Sequence, residues 1–192
     1  MNLPNKLTVL RIFLAFVLMG LLFFPGLAAK VLAIFVFLAA CATDYFDGRI
    51  ARVRHCITDF GKIMDPLADK ILVLGAFLSF VELQLVPAWM VIVIIIRELF
   101  LTGVRLVVMH RGLVLAAENA GKHKTVSQMA TIFVILFFLA VRETGVTFSF
   151  WSVDLEKMLK SSIFFLMCVT VALTILSGFT YFWNNRKLLK NL

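Results

Sequence analysis

The sequence predicts an all-α integral membrane bundle of six transmembrane helices, and three observations carry that expectation. Of the 192 residues, 62% are hydrophobic and the mean hydropathy is +1.01, well above the roughly 45–50% apolar share of a soluble domain. The apolar residues gather into six segments, about 7–24, 30–54, 63–82, 87–109, 125–142 and 161–183, each near the roughly 20 residues that cross a bilayer. The net charge of +8 is also one-sided. With six crossings, one face collects all the lysines and arginines except Lys30, Arg142, Lys157 and Lys160. The positive-inside rule puts that face, with both termini, in the cytoplasm, and the segments fill residues 1–192 as a single domain.

The first segment is expected to be retained rather than cleaved, since Arg11 interrupts its apolar run and no A-x-A-like site follows. Ahead of it, N-L-P-N-K-L-T-V-L-R (2–11) reads as an interfacial entry. The second segment is apolar only from Val31 to Thr43, roughly 20 Å of helix against a hydrocarbon core of roughly 30 Å. Asp44 and Asp47 are therefore drawn to the membrane boundary, in a cavity that opens toward the cytoplasm. The third segment reverses the order: Asp65 and Asp69 lead into an apolar run from Ile71 to Val81, with Pro66 expected in a first helical turn.

The fourth segment, from Pro87, contains R-E-L-F-L-T-G-V-R. Arg97 lies roughly 15 Å along it. Adjacent Arg97 and Glu98 are not expected to face each other, whereas Glu98, Thr102 and Arg105 share a stripe at spacings of four and three. Charged residues inside a span are functional candidates, as anion binders or as an internal ion-pair network. The loop 111–124 ends in A-G-K-H-K-T, placing Lys122 and Lys124 at the start of the fifth segment, where a helix N-terminus also favours phosphate. Residues 142–160 read as an outward polar loop, and the sixth segment brings Tyr181 and Trp183 to the cytoplasmic interface. Cys41, Cys56 and Cys168 share no metal-like spacing and read as small core hydrophobes. The cations suit anionic headgroups and phosphorylated substrates rather than nucleic acid, for which no basic soluble surface exists.

The chemistry concentrates between Asp44 and Asp69, D-Y-F-D-G-R-I-A-R, eight residues, then G-K-I-M-D-P-L-A-D. The pairs Asp44/Asp47 and Asp65/Asp69 have spacings of three and four, so on helices each pair shares a face with side chains roughly 5–6 Å apart. Oxygen-only donors in pairs suit a hard divalent cation, Mg²⁺ or Mn²⁺. Gly48 and Ala51 allow close helix packing or close approach of a flat ligand, and Gly61 is a hinge or serves the same approach.

This stretch resembles the signature of the CDP-alcohol phosphotransferase family, D-x-x-D-G-x-x-A-R, eight residues, G-x-x-x-D-x-x-x-D, and matches it at every fixed position. The N-terminal run and the R-E-x-x-x-T-G-x-R and G-K-x-K-T runs resemble the branch that makes phosphatidylglycerol phosphate; A-A-E-N-A (116–120) departs from that branch and leaves the acceptor open. The resemblance implies a homodimeric enzyme of the cytoplasmic membrane, with CDP-diacylglycerol as donor and glycerol 3-phosphate as preferred acceptor, set among membrane lipid. It implies Asp44, Asp47, Asp65 and Asp69 as metal ligands, Asp69 as general base, and Asn5, Thr8, Gly48, Ala51, Arg52 and Gly61 around the nucleotide lipid. Arg97, Arg105, Lys122 and Lys124 would take the acceptor phosphate. Arg11 shares the N-terminal face with Asn5 and Thr8. The same chemistry on inositol phosphate, serine or phosphatidylglycerol stays open, as does a Mg²⁺-dependent prenyltransferase. An ion-coupled transporter would want its acids at mid-membrane, not gathered on one side.

Overall fold

The computed structural model describes the backbone of residues 3–54, 59–110, 119–147 and 151–189, and the side chains of residues 6–44, 64, 67–104, 108, 124–146 and 151–186. Among the described residues the chain is six helices: α1 (Leu3–Phe23), α2 (Leu27–Arg54), α3 (Asp59–Glu82), α4 (Ala88–His110), α5 (Asn119–Thr147) and α6 (Val153–Leu189). Four of them contain a stretch long and apolar enough to cross a membrane: Lys6–Phe23, Leu27–Asp44, Lys124–Val146 and Val153–Arg186. The protein is a membrane protein by that measure. In α3 and α4, Asp69, Lys70, Arg97 and Glu98 interrupt the apolar sequence.

The helices outrun the apolar segments that announce them. Helix α6 has 37 residues, roughly 55 Å at 1.5 Å per residue, against a hydrocarbon core of roughly 30 Å. Hydropathy marks only the length that lipid demands, and the backbone stays helical into the polar flanks. Thus α5 starts at Asn119, and Lys122 and Lys124 stand on its first two turns rather than in a loop. Likewise α3 starts at Asp59, so Pro66 lies two turns in and offers no N–H to the carbonyl of residue 62. Both aspartate pairs fall inside helices, Asp44 and Asp47 on α2, Asp65 and Asp69 on α3.

Pro25 ends α1, and Gly26 takes a φ of 95° to turn the chain into α2. Lys30, only 5% exposed, explains how a charge survives there. Its Nζ donates to the carbonyls of Leu22 (2.6 Å) and Phe24 (2.8 Å), orphan acceptors at the end of α1. Helix α1 lies against both α2 and α3, α5 joins α2 to α6, and α4 rests on α3 and α6. Leu18, Leu22, Phe37, Leu72, Phe77, Phe80, Met90, Ile94, Ile132 and Met167 form the shared core. At the α1–α3 contact a Cβ on Gly75 would come within 2.7 Å of Met19 Sδ, so the absent side chain lets the helices approach. Phe13, Phe16, Phe35, Phe165 and Phe179 point outward, as a lipid-facing surface requires. Cys41 and Cys168 are free, half-buried thiols.

Candidate active site

The site lies where charged residues of α1, α2, α3, α4 and α5 come together. Asp44 stands at the end of the apolar run of α2, and its Oδ1 is 2.7 Å from Arg11 Nη1 of α1. The two partners are unequal: the Arg11 side chain is fully buried, whereas that of Asp44 is 53% exposed. The guanidinium thus supports the carboxylate from the bundle side and leaves carboxylate surface open. Thr8, one helical turn before Arg11, is also fully buried. Asp69 of α3 lies within electrostatic range of Asp44, Arg11, Lys70 and Lys124.

Asp69 also forms one wall of a small, partly open cavity. Lys70, Val73 and Leu74 continue that wall along α3; Glu98 comes from α4, and Lys124, Thr125 and Gln128 from α5. Glu98 is the node between them. Its Oε1 accepts from Arg97 Nη1 at 2.9 Å and also takes the Lys124 ammonium. Arg97 donates in addition to Ser177 of α6. One carboxylate therefore ties α4 to α5, and its neighbour ties α4 to α6. Such buried charges persist in an apolar bundle only when paired.

Here the helical-stripe expectation needs correcting. Arg97 and Glu98 do meet although adjacent, because the arginine side chain is long enough to fold back across the helix. Thr102 does not join the Glu98 carboxylate; its hydroxyl donates to the Glu98 backbone carbonyl at 2.8 Å, the usual i−4 bond of a helical threonine. Of the residues singled out in the sequence, the structure brings Asp44, Asp69, Arg97 and Lys124 to one end of the bundle, with Thr8 and Arg11 beside them. The side chains of Asn5, Asp47, Gly48, Ala51, Arg52, Gly61, Asp65, Arg105 and Lys122 lie outside the described residues.

Three polar cavity residues were not among the sequence candidates: Lys70, Thr125 and Gln128. Each is a polar residue at the edge of, or inside, an apolar run, which is the signal that could have found them. A second polar seam joins α5 to α6. The hydroxyl of Thr170 is 2.9 Å from that of Ser127 and 2.8 Å from that of Thr131, and all three are part-buried or buried. Ser127 and Thr131, like Thr170 and Thr174, are four apart, a spacing readable as one face.

The described carboxylates Asp44 and Asp69 are oxygen donors within electrostatic range of each other, and Asp44 keeps open carboxylate surface, so the donor chemistry fits a hard divalent cation. Among the described residues no three His, Cys, Asp or Glu side chains converge on a point.

A family model described as CDP-alcohol phosphatidyltransferase matches residues 1–185. A CDP-diacylglycerol–glycerol-3-phosphate 3-phosphatidyltransferase of Bacillus subtilis is 38% identical over 201 aligned positions, covering 98% of this chain and 97% of the relative. A probable phosphatidylglycerophosphate synthase of Mycobacterium tuberculosis is 42% identical over 134 positions, 68% of this chain and 64% of the relative. A Rickettsia typhi protein with the same name as the Bacillus one is 29% identical over 181 positions, 94% and 95% of the two chains.

Proposed function

Because the chain belongs to the CDP-alcohol phosphatidyltransferase family, we propose that it is an enzyme of phospholipid biosynthesis that transfers the phosphatidyl group of CDP-diacylglycerol to glycerol 3-phosphate. The products are phosphatidylglycerol phosphate and CMP. The observation that carries this reading is the near full-length likeness to a relative named for that reaction, on a chain whose Asp69 and Lys124 share one cavity.

In this mechanism the primary hydroxyl of glycerol 3-phosphate attacks the phosphorus that bears the diacylglycerol. The new P–O bond forms as the bond to CMP breaks, and the hydroxyl proton passes to Asp69. Asp44, Asp47, Asp65 and Asp69 would hold Mg²⁺ or Mn²⁺, whose part when bound is to neutralise charge on the transferring phosphoryl group. Arg11 holds Asp44 in orientation from the buried side. Asn5, Thr8, Gly48, Ala51, Arg52 and Gly61 surround the nucleotide lipid. Arg97, Arg105, Lys122 and Lys124 receive the acceptor phosphate, for which Lys124 and Arg97 exchange part of their pairing with Glu98.

We further read all six helices as crossing the cytoplasmic membrane, with the cavity and both termini on the cytoplasmic side, and the enzyme as a homodimer in lipid. The charge asymmetry of the loops supports the orientation. The test is release of CMP from CDP-diacylglycerol by detergent-purified protein with Mg²⁺ or Mn²⁺, offered glycerol 3-phosphate, inositol phosphate, serine or phosphatidylglycerol. Release dependent on glycerol 3-phosphate is expected. Release with another acceptor alone would reassign the cationic residues, and none with any acceptor from folded protein would overturn the assignment.

A further inference from the structure

Gln128 stands out among the cavity residues because its burial has no structural explanation. It is 2% exposed, and its side-chain amide nitrogen has no hydrogen-bond partner among the described residues. A buried donor left unmade is costly, and native proteins keep few of them. The neighbouring polar groups are otherwise engaged: Glu98 holds Arg97 and Lys124, while Ser127 and Thr131 share Thr170. Gln128 lines the cavity instead, so a molecule entering the cavity can supply the missing acceptor.

Position narrows what that acceptor is. Gln128 is one turn beyond Lys124 on α5, roughly 6 Å along the axis. Val73 and Leu74 are one turn beyond Asp69 and Lys70 on α3, and line the same cavity. The lining thus grades from charged residues to two aliphatic side chains and one amide. A phosphate dianion belongs with Lys70 and Lys124, and placing it against Val73 and Leu74 would strip its hydration without a counter-charge. A hydroxyl can go there if it is given one good hydrogen bond.

Resting on the reaction proposed above, we propose that Gln128 is a specificity-determining residue whose amide donates to the secondary hydroxyl of glycerol 3-phosphate, the hydroxyl that neither attacks nor carries phosphate. Asp69 serves the attacking hydroxyl and the cations serve the phosphate. The amide completes the set, distinguishing a triol phosphate from acceptors that lack the middle hydroxyl.

The test compares the parent protein with Gln128→Leu, using CMP release in detergent. 3-Hydroxypropyl phosphate, which is glycerol phosphate without the secondary hydroxyl but with the attacking primary one, is assayed separately as an alternative acceptor. Leucine fills similar volume and removes the unpaired donor, so the melting temperature should hold or rise. The KM for glycerol 3-phosphate should rise about ten- to a hundred-fold, as loss of one buried hydrogen bond implies. The KM for CDP-diacylglycerol and the KM for 3-hydroxypropyl phosphate should stay unchanged. Equal weakening of both phosphates would place the amide on the phosphate and overturn the proposal, as would an unchanged KM for glycerol 3-phosphate. Gln128→Met, unbranched and of matching length, carries the same expectation if the leucine variant misfolds; misfolding of both would make the amide structural and overturn the proposal too. Parent protein that releases no CMP with glycerol 3-phosphate overturns the reaction and this inference together, whereas parent turnover with any of the contrary KM patterns overturns the inference alone.

Discussion

Replacing Glu98 by glutamine tests whether one carboxylate holds α4 to α5. The side chain is 11% exposed and receives both Arg97 and Lys124, themselves 15% and 10% exposed. Glutamine keeps the shape but leaves two cations without a counter-charge in a largely buried setting. Removing one member of a buried ion pair costs roughly 3–5 kcal/mol, and the loss here should lie in that range. Lys124→Met is milder, because Glu98 retains Arg97; the value of one hydrogen bond to a charged group, about 1.5–3 kcal/mol, applies. In the double variant the stranded lysine no longer exists, so its destabilisation should fall short of the sum by at least about 1 kcal/mol. Reversible SDS-induced unfolding in mixed micelles gives each ΔΔG, measured without substrate. Additivity within about 0.5 kcal/mol would refute the node, since groups that do not interact add to within that margin.

Three other substitutions probe separate parts of the structure. Asp69→Asn should lower CMP release by about 10²–10⁴-fold, the usual share of a general base, while binding of CDP-diacylglycerol, followed by titration in detergent, is largely retained; normal turnover would remove Asp69 from that role. Thr170→Val breaks the hydroxyl bridge to both Ser127 and Thr131, and unfolding in micelles should show a loss of about 1 kcal/mol, in line with hydrogen bonds between membrane helices. Lys30→Met removes the ammonium that donates to both carbonyls at the end of α1. It should lower stability by about 1–3 kcal/mol through two orphaned carbonyls, with CMP release by the folded fraction unchanged because Lys30 lies in the first turn of α2, roughly 20 Å along the helix from Asp44.

The six helices were legible because each is announced by a contiguous apolar run, which hydropathy reports directly, although only four carry a stretch long and apolar enough to cross a membrane. Their ends were not. Lys122 and Lys124 lie on α5 rather than before it because the helical backbone satisfies its own hydrogen bonds in water as well as in lipid, so it need not stop where the apolar run does. The aspartate pairs were legible for a different reason: oxygen donors at spacings of three and four are a local property that survives any packing. Asp69 and Lys124 share a cavity although 55 positions apart. Their cationic and anionic character suggested a common task, but only packing of α3 against α5 brings them together. Pairing by stripe misjudged Arg97 and Glu98, since stripe geometry describes Cβ positions and not the reach of a guanidinium. Gln128 escaped notice because one amide among aliphatic residues carries no charge to flag it.

The described charges show how such a site stays folded before substrate arrives. Arg11 is countered by Asp44, and Arg97 and Lys124 by Glu98. Clustered cations would otherwise repel one another in an apolar bundle, where charge without a partner is strongly disfavoured. Glu98 therefore acts as a resident stand-in for an anion. Under the proposed reaction, the acceptor phosphate competes with that carboxylate for Lys124, which weakens acceptor binding but keeps the empty cavity open and assembled. The arrangement at Asp44 differs, because its carboxylate is half exposed while Arg11 is not. Under the proposed reaction, a dication approaching from the open side need not displace the arginine, so the acidic end would add a cation to an existing pair while the basic end would trade one anion for another.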